Sequence, residues 1–214
     1  MIYMIHNIIV CGNLFLMTLI SPNISSTHVY PESIASEVRT ALSHYPELAE
    51  VSIEFKFKRK IRKSTMQAQP EFWSFFRKKS KRKYKVLISE SMKIDNTLYL
   101  VENLPSEVLI GWLGHELGHI RDYQDRSGLN LIGFGLSYLF SEKAMKRTER
   151  TADSYAIAHG MDSYILAAKN FILNEADIPE TYKNRIKRFY LSLEEIMVLI
   201  EERDADIELS NQDG

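Results

Sequence analysis

An α+β domain is the fold class that this 214-residue sequence predicts, and three observations predict it. Segments 51–58, 84–89 and 97–101 are short and either alternate or are continuously apolar, as strands are. Segments 105–121 and 146–159 place chemically reactive side chains four residues apart, the spacing of neighbours on one helix face. Segments 162–174 and 180–203 show apolar residues at helical spacing. With 45% hydrophobic residues, the chain is long enough to bury one substantial core, which predicts a single domain over 27–203.

Taken in order, the first 31 residues contain no charged side chain, and Ile8 to Ile20 is mostly apolar. This predicts a signal peptide or short anchor over 1–26, cleaved near Ser26, and hence an exported or membrane-anchored protein. No Lys or Arg precedes the apolar run, and Val10 rather than a small residue stands before Cys11. The alternative is a cytoplasmic protein with a buried N-terminal segment, or one that starts at Met17. Cys11 is alone, so no intramolecular disulfide forms. Pro31 to Tyr45 has helical spacing through Ile34, Val38 and Ala41, and Val51 to Lys58 alternates as a half-buried strand.

Net charge is −1, yet residues 56–85 hold thirteen Lys and Arg against one acid, Glu71. Phe72, Trp73, Phe75 and Phe76 lie between the two basic runs. Such a segment suits contact with an anionic surface; the preferred reading is two solvated charge runs flanking an aromatic turn that packs on the domain, and nucleic acid is not favoured as a partner. Strands follow at 84–89 and 97–101, with Ile94-Asp95-Asn96 as the turn. Pro105 suits a first helical turn and Glu107 its positive end, and Val108, Trp112, His115 and His119 form one stripe up to Arg121. Leu131 to Phe140 is apolar but half the length of a membrane span, so it reads as core or cleft wall, with an interfacial contact as the alternative. The last helix, 180–203, is amphipathic through Ile186, Tyr190, Leu193, Ile196 and Ile200, and a polar flexible tail is expected over 204–214. There is no repeat, Gly-rich phosphate loop or Cys-x-x-Cys pair, and nothing in the sequence sets the oligomeric state.

The chemistry is concentrated in His115-Glu116-Leu117-Gly118-His119. Two histidines four apart on a helix can reach one metal, and the glutamate beside the first can face the activated water. Glu149 and Asp153, also four apart, supply a second face. Glu149 completes a two-histidine, one-glutamate ligand set, and Asp153 can accept the free ring N–H of a ligand histidine, His115 first. Asp122 is a rival third ligand, but it lies about 10 Å along the helix axis from His115, too far for a short carboxylate.

This H-E-x-x-H followed by E-x-x-A-D resembles the gluzincin metallopeptidases, most closely the CAAX prenyl endopeptidase and HtpX-type family, over residues 97 to 190. The resemblance implies a zincin-like metallopeptidase domain: a small, mainly antiparallel sheet on the H-E-x-x-H helix, the E-x-x-A-D helix and C-terminal helices. It implies one Zn²⁺ per chain on His115, His119 and Glu149, Glu116 as general base and Asp153 as support. It also implies a peptide or protein substrate, bound by pairing with an edge strand, 84–89 or 97–101. Where the family often has His-Pro and then Arg with an apolar residue, this chain has Ile178-Pro179 and Arg185-Ile186. The missing histidine leaves Arg185, His159, Tyr155 and Tyr182 as candidate oxyanion stabilisers, although His159, near Gly160, reads first as a helix C-terminal residue. Zinc-dependent endopeptidase is the function predicted. The alternative from another class is a catalytically silent module that binds nucleic acid or anionic membrane through 56–85; a third is a protease kept latent by its own N-terminal segment.

Overall fold

The computed structural model describes residues 27–59, 61, 64–94, 97–175 and 178–212. The predicted leader over 1–26 and two residues of the predicted turn, 95 and 96, lie outside them. The architecture is α+β. A four-stranded sheet is built from β1 (His28–Val29), β2 (Ser52–Lys58), β3 (Met66–Pro70) and β4 (Lys83–Ser89), and β5 (Ser91–Ile94) pairs with β6 (Thr97–Leu100) in a separate hairpin. The helices are α1 (Ala35–Ser43), α2 (Ser106–Asp125), α3 (Gly128–Phe140), α4 (Glu142–Ala158), α5 (Asp162–Asn170), α6 (Glu180–Phe189) and α7 (Leu193–Gln212).

Sheet order is β1-β2-β4-β3. β1 and β4 both run parallel to β2, with Ser52 opposite Lys83, and only β3 is antiparallel, with Ala68 opposite Val86. The expectation of a mainly antiparallel sheet is therefore corrected. α1 carries the chain back between β1 and β2, and β3, laid outside β4, reverses it once so that β4 resumes the direction of β2. β4 is thus interior, and the free edge beside α2 belongs to β3, a strand that the sequence reading missed. Ile53 and Phe55 of β2 meet Tyr84, Val86 and Ile88 of β4 in one core with Leu109, Leu113, Leu117 and Ile120 of α2.

α2 is buried along nearly its whole length, because α1, α4, α5 and β3 all pack on it. Close approach demands small residues there. A Cβ at Gly118 would stand 2.4 Å from the backbone oxygen of Ala152 in α4, and one at Gly111 would stand 2.2 Å from that of Tyr164 in α5.

Two further expectations change. The segment 180–203 is two helices, broken at Tyr190-Leu191-Ser192, where the Leu191 N–H turns to the Asp153 carboxylate instead of continuing a helix. α7 then runs to Gln212 rather than ending at a flexible tail from Asp204; the Arg203 guanidinium ties it to Asp162 (2.6 Å) and to the carbonyl of Ile157 (3.0 Å). The aromatic turn Phe72–Phe76 packs against α3, with Ser74 buried and Phe72, Trp73 and Phe76 left exposed.

Candidate metal centre

α2 and α4 cross where Gly118 meets Ala152, and this contact sets the distance between their reactive faces. His115 and His119 stand one turn apart on α2, and Glu149 faces them from α4; all three are buried. Nε2 of His115 lies 3.1 Å, and Nε2 of His119 3.4 Å, from the same Glu149 oxygen, Oε2. One ligand atom from each of the three lies within 4.8 Å of the others, so they can hold a metal ion.

The surrounding hydrogen bonds fix each group. Nδ1 of His115 is 2.9 Å from Asp153 Oδ1, and a carboxylate can only accept, so Nδ1 carries a proton and Nε2 has a lone pair toward Glu149 only while the ring is neutral. Two acceptors then face each other, a contact that a proton or a cation between them makes attractive; the donor set thus fits a bound cation. Burial works against a charged His115 ring, but hydrogen bonds to Asp153 and Glu149, with their charges, outweigh it and raise the ring to about 10. Burial likewise penalises the Glu149 carboxylate, yet the two histidines hold it well below the usual carboxylate range. The outer Glu149 oxygen accepts from the Tyr138 hydroxyl at 2.5 Å, which burial and the glutamate charge keep protonated. Among the described residues, Nδ1 of His119 is buried without a hydrogen-bond partner.

Asp153 is itself saturated: its second oxygen accepts from Nζ of buried Lys169 at 2.9 Å and from the Leu191 N–H at 3.1 Å. Glu116, also buried, accepts the Ala68 N–H of β3 at 2.5 Å, and burial raises its carboxyl against the opposing pull of the histidine rings. A pocket opens beside His115 and Glu116, with apolar walls from Met66, Trp112, Ile172 and Ile186 and with Tyr182 and Tyr190 across it.

The five residues expected at the centre, His115, His119, Glu149, Glu116 and Asp153, are thus together. Asp122 is not among them; Arg126 grips its carboxylate through two nitrogens, at 3.0 and 2.9 Å. Of the four candidate oxyanion stabilisers, Tyr182 lines the pocket, and the Arg185 charge reaches Tyr138 and Tyr182. The other two are elsewhere. His159 ends α4, with Nδ1 on the Tyr155 carbonyl, Nε2 2.8 Å from Glu47 and its ring stacked on Tyr45. Tyr155 donates to Asp125 on the surface. Tyr138, Lys169 and the Ala68 N–H were missed by the sequence reading: the first two come from the helices before and after α4 and the third from a strand far earlier in the chain, and no spacing rule announces them. Comparison with protein-family models, curated proteins and solved structures finds no match to this chain.

Proposed function

We propose that the protein is a zinc-dependent endopeptidase with a zincin-like domain of the gluzincin type. The observation that carries this reading is the convergence of His115, His119 and Glu149 within 4.8 Å, with Glu116 beside them lining a pocket. Those three residues would hold Zn²⁺, whose chemistry when bound is that of a Lewis acid that acidifies water and polarises a carbonyl. Glu116 takes the proton from the attacking water and returns it to the departing amine; its raised carboxyl suits this base-then-acid role. The Ala68 N–H fixes one Glu116 oxygen and so aims the other. Asp153, charge-compensated by Lys169, keeps His115 in the tautomer that ligates through Nε2. Of the expected oxyanion donors, Tyr182, which lines the pocket, and Arg185, whose charge reaches Tyr182, are the two that remain as candidates.

Substrate would lie along β3. Because Thr65 and Glu71 bond to β4, residues of the same parity face that strand, and the backbone groups of Met66, Ala68 and Pro70 point to the outer edge, where the Ala68 N–H is already given to Glu116 and the Ala68 carbonyl faces a substrate. An extended peptide pairing there passes Glu116, and apolar side chains suit the adjoining pocket. Elemental analysis of the purified protein is expected to give about one zinc per chain, lost on Glu149→Ala. Glu116→Gln is expected to keep the metal and lose peptide cleavage at least about a hundredfold; cleavage undiminished in that variant removes the assigned base and the reading with it.

A further inference from the structure

α3 is apolar on two opposite sides. Leu131, Phe134 and Tyr138 turn inward: Leu131 is buried, Phe134 lies under the Arg126 guanidinium at 4.1 Å, and Tyr138 reaches Glu149. Leu129, Ile132, Leu136, Leu139 and Phe140, spaced three and four apart, form a second stripe turned to solvent, with Leu129 83% and Phe140 85% exposed. The aromatic turn packs beside α3 and adds exposed Phe72, Trp73 and Phe76. Arg77, Lys78 and Lys81 follow directly, all exposed and without an ion pair among the described residues.

A contiguous apolar surface of this kind marks an interface, and its rim identifies the partner. Aromatic side chains flanked by unpaired cations match the headgroup level of a bilayer carrying negative charge. At thirteen residues, α3 is about 20 Å long against an apolar thickness of about 30 Å, and no helix of the described residues is long and apolar enough to cross a membrane. The helix can therefore lie in the interface but not span it. A symmetric contact with a second copy would bring two unpaired cation clusters to one junction, which repel.

We propose that the outer stripe of α3 and the turn Phe72–Phe76 dock the protein on an anionic lipid surface, with Arg77, Lys78 and Lys81 on the headgroups. The docked helix holds Glu149 from its other side through Tyr138, so the metal cluster faces the membrane across one helix diameter, about 10 Å. The docking does not depend on catalysis.

The test is sedimentation of the full chain with vesicles of phosphatidylcholine alone and with about a third phosphatidylglycerol, with tryptophan emission followed in parallel. The expected result is binding to the anionic vesicles that weakens as salt rises, with a blue shift that Trp73→Ala abolishes. Leu136→Ser/Leu139→Ser/Phe140→Ser is expected to lower partitioning at least about tenfold, and Arg77→Gln/Lys78→Gln/Lys81→Gln about a hundredfold on anionic vesicles only. These side chains are exposed, so unchanged thermal melts verify folding, and Glu116→Gln binds as the parent does whether or not the protein cleaves peptides. Undiminished binding in both triple variants overturns the proposal, since lipid contact then lies elsewhere in the chain. A dimer abolished by the same substitutions, without lipid binding, overturns it in favour of a second copy.

Discussion

Lys169 shows how a single side chain can support a histidine through the carboxylate between them. Its ammonium is buried against Asp153, and Asp153 in turn holds His115. Lys169→Met removes that charge and leaves the carboxylate to His115 and the Leu191 N–H, so zinc affinity is expected to fall about ten- to a hundredfold and stability by roughly 3–5 kcal/mol. Competition with a chromophoric chelator measures the first and a denaturant titration the second; an affinity equal to the parent's reduces Lys169 to packing. The sequence disclosed the candidate ligands but not this support. His115, His119 and Glu116 are legible because helix geometry alone brings them together, and Glu149 and Asp153 because a second pair at the same spacing stands thirty-odd residues on. A lysine inside a helical segment, by contrast, reads as solvated, and Tyr138 reads as one more apolar residue of its run.

At the scale of elements, glycine decides which helices come close. Gly118 and Gly133 are both helical, but a Cβ at the first meets the α4 backbone and one at the second meets nothing within 4 Å. Gly118→Ala is expected to cost about 1–3 kcal/mol by pushing α2 off α4, and to weaken zinc binding as well. Gly133→Ala is expected to gain about 0.5–1 kcal/mol from helix propensity. Paired thermal melts with zinc titration read both signs. The spacing rules gave α1, β2, β4, β6 and α2 close to their observed bounds because each is a single amphipathic or alternating run. β3 escaped because Met66-Gln-Ala-Gln-Pro70 is short and ends in proline, and the break between α6 and α7 escaped because Ile186, Tyr190 and Leu193 keep helical spacing across it. α3 was legible as apolar, while which of its faces meets solvent depends on neighbours that only the fold supplies.

For the molecule as a whole, the attachment of α7 gives stability a pH dependence. The Arg150 guanidinium in α4 holds Glu195 in α7 at 2.8 and 2.5 Å, and with the Ser192 N–H it lowers that carboxyl to about 2. A folded-state pKa below the unfolded value means that the contribution is complete above about pH 4.5 and is lost as pH falls toward 2. The pair is partly exposed, so its worth is at most about 1 kcal/mol. Glu195→Gln is therefore expected to melt slightly below the parent at neutral pH, with the gap closing by about pH 2; a gap that persists in acid assigns the effect to packing.

The register of β2 against β4 also bears on how the chain is made. Lys83, the partner of Ser52, is synthesised thirty-one residues after it, an interval of about two to six seconds on a ribosome. Throughout that time the longest side of β2, with Ile53 and Phe55 on one face, stands open to any other nascent chain. Lys56 and Lys58 stand on exposed positions of the same strand, and lysines so placed disfavour pairing of a bare strand edge with another chain.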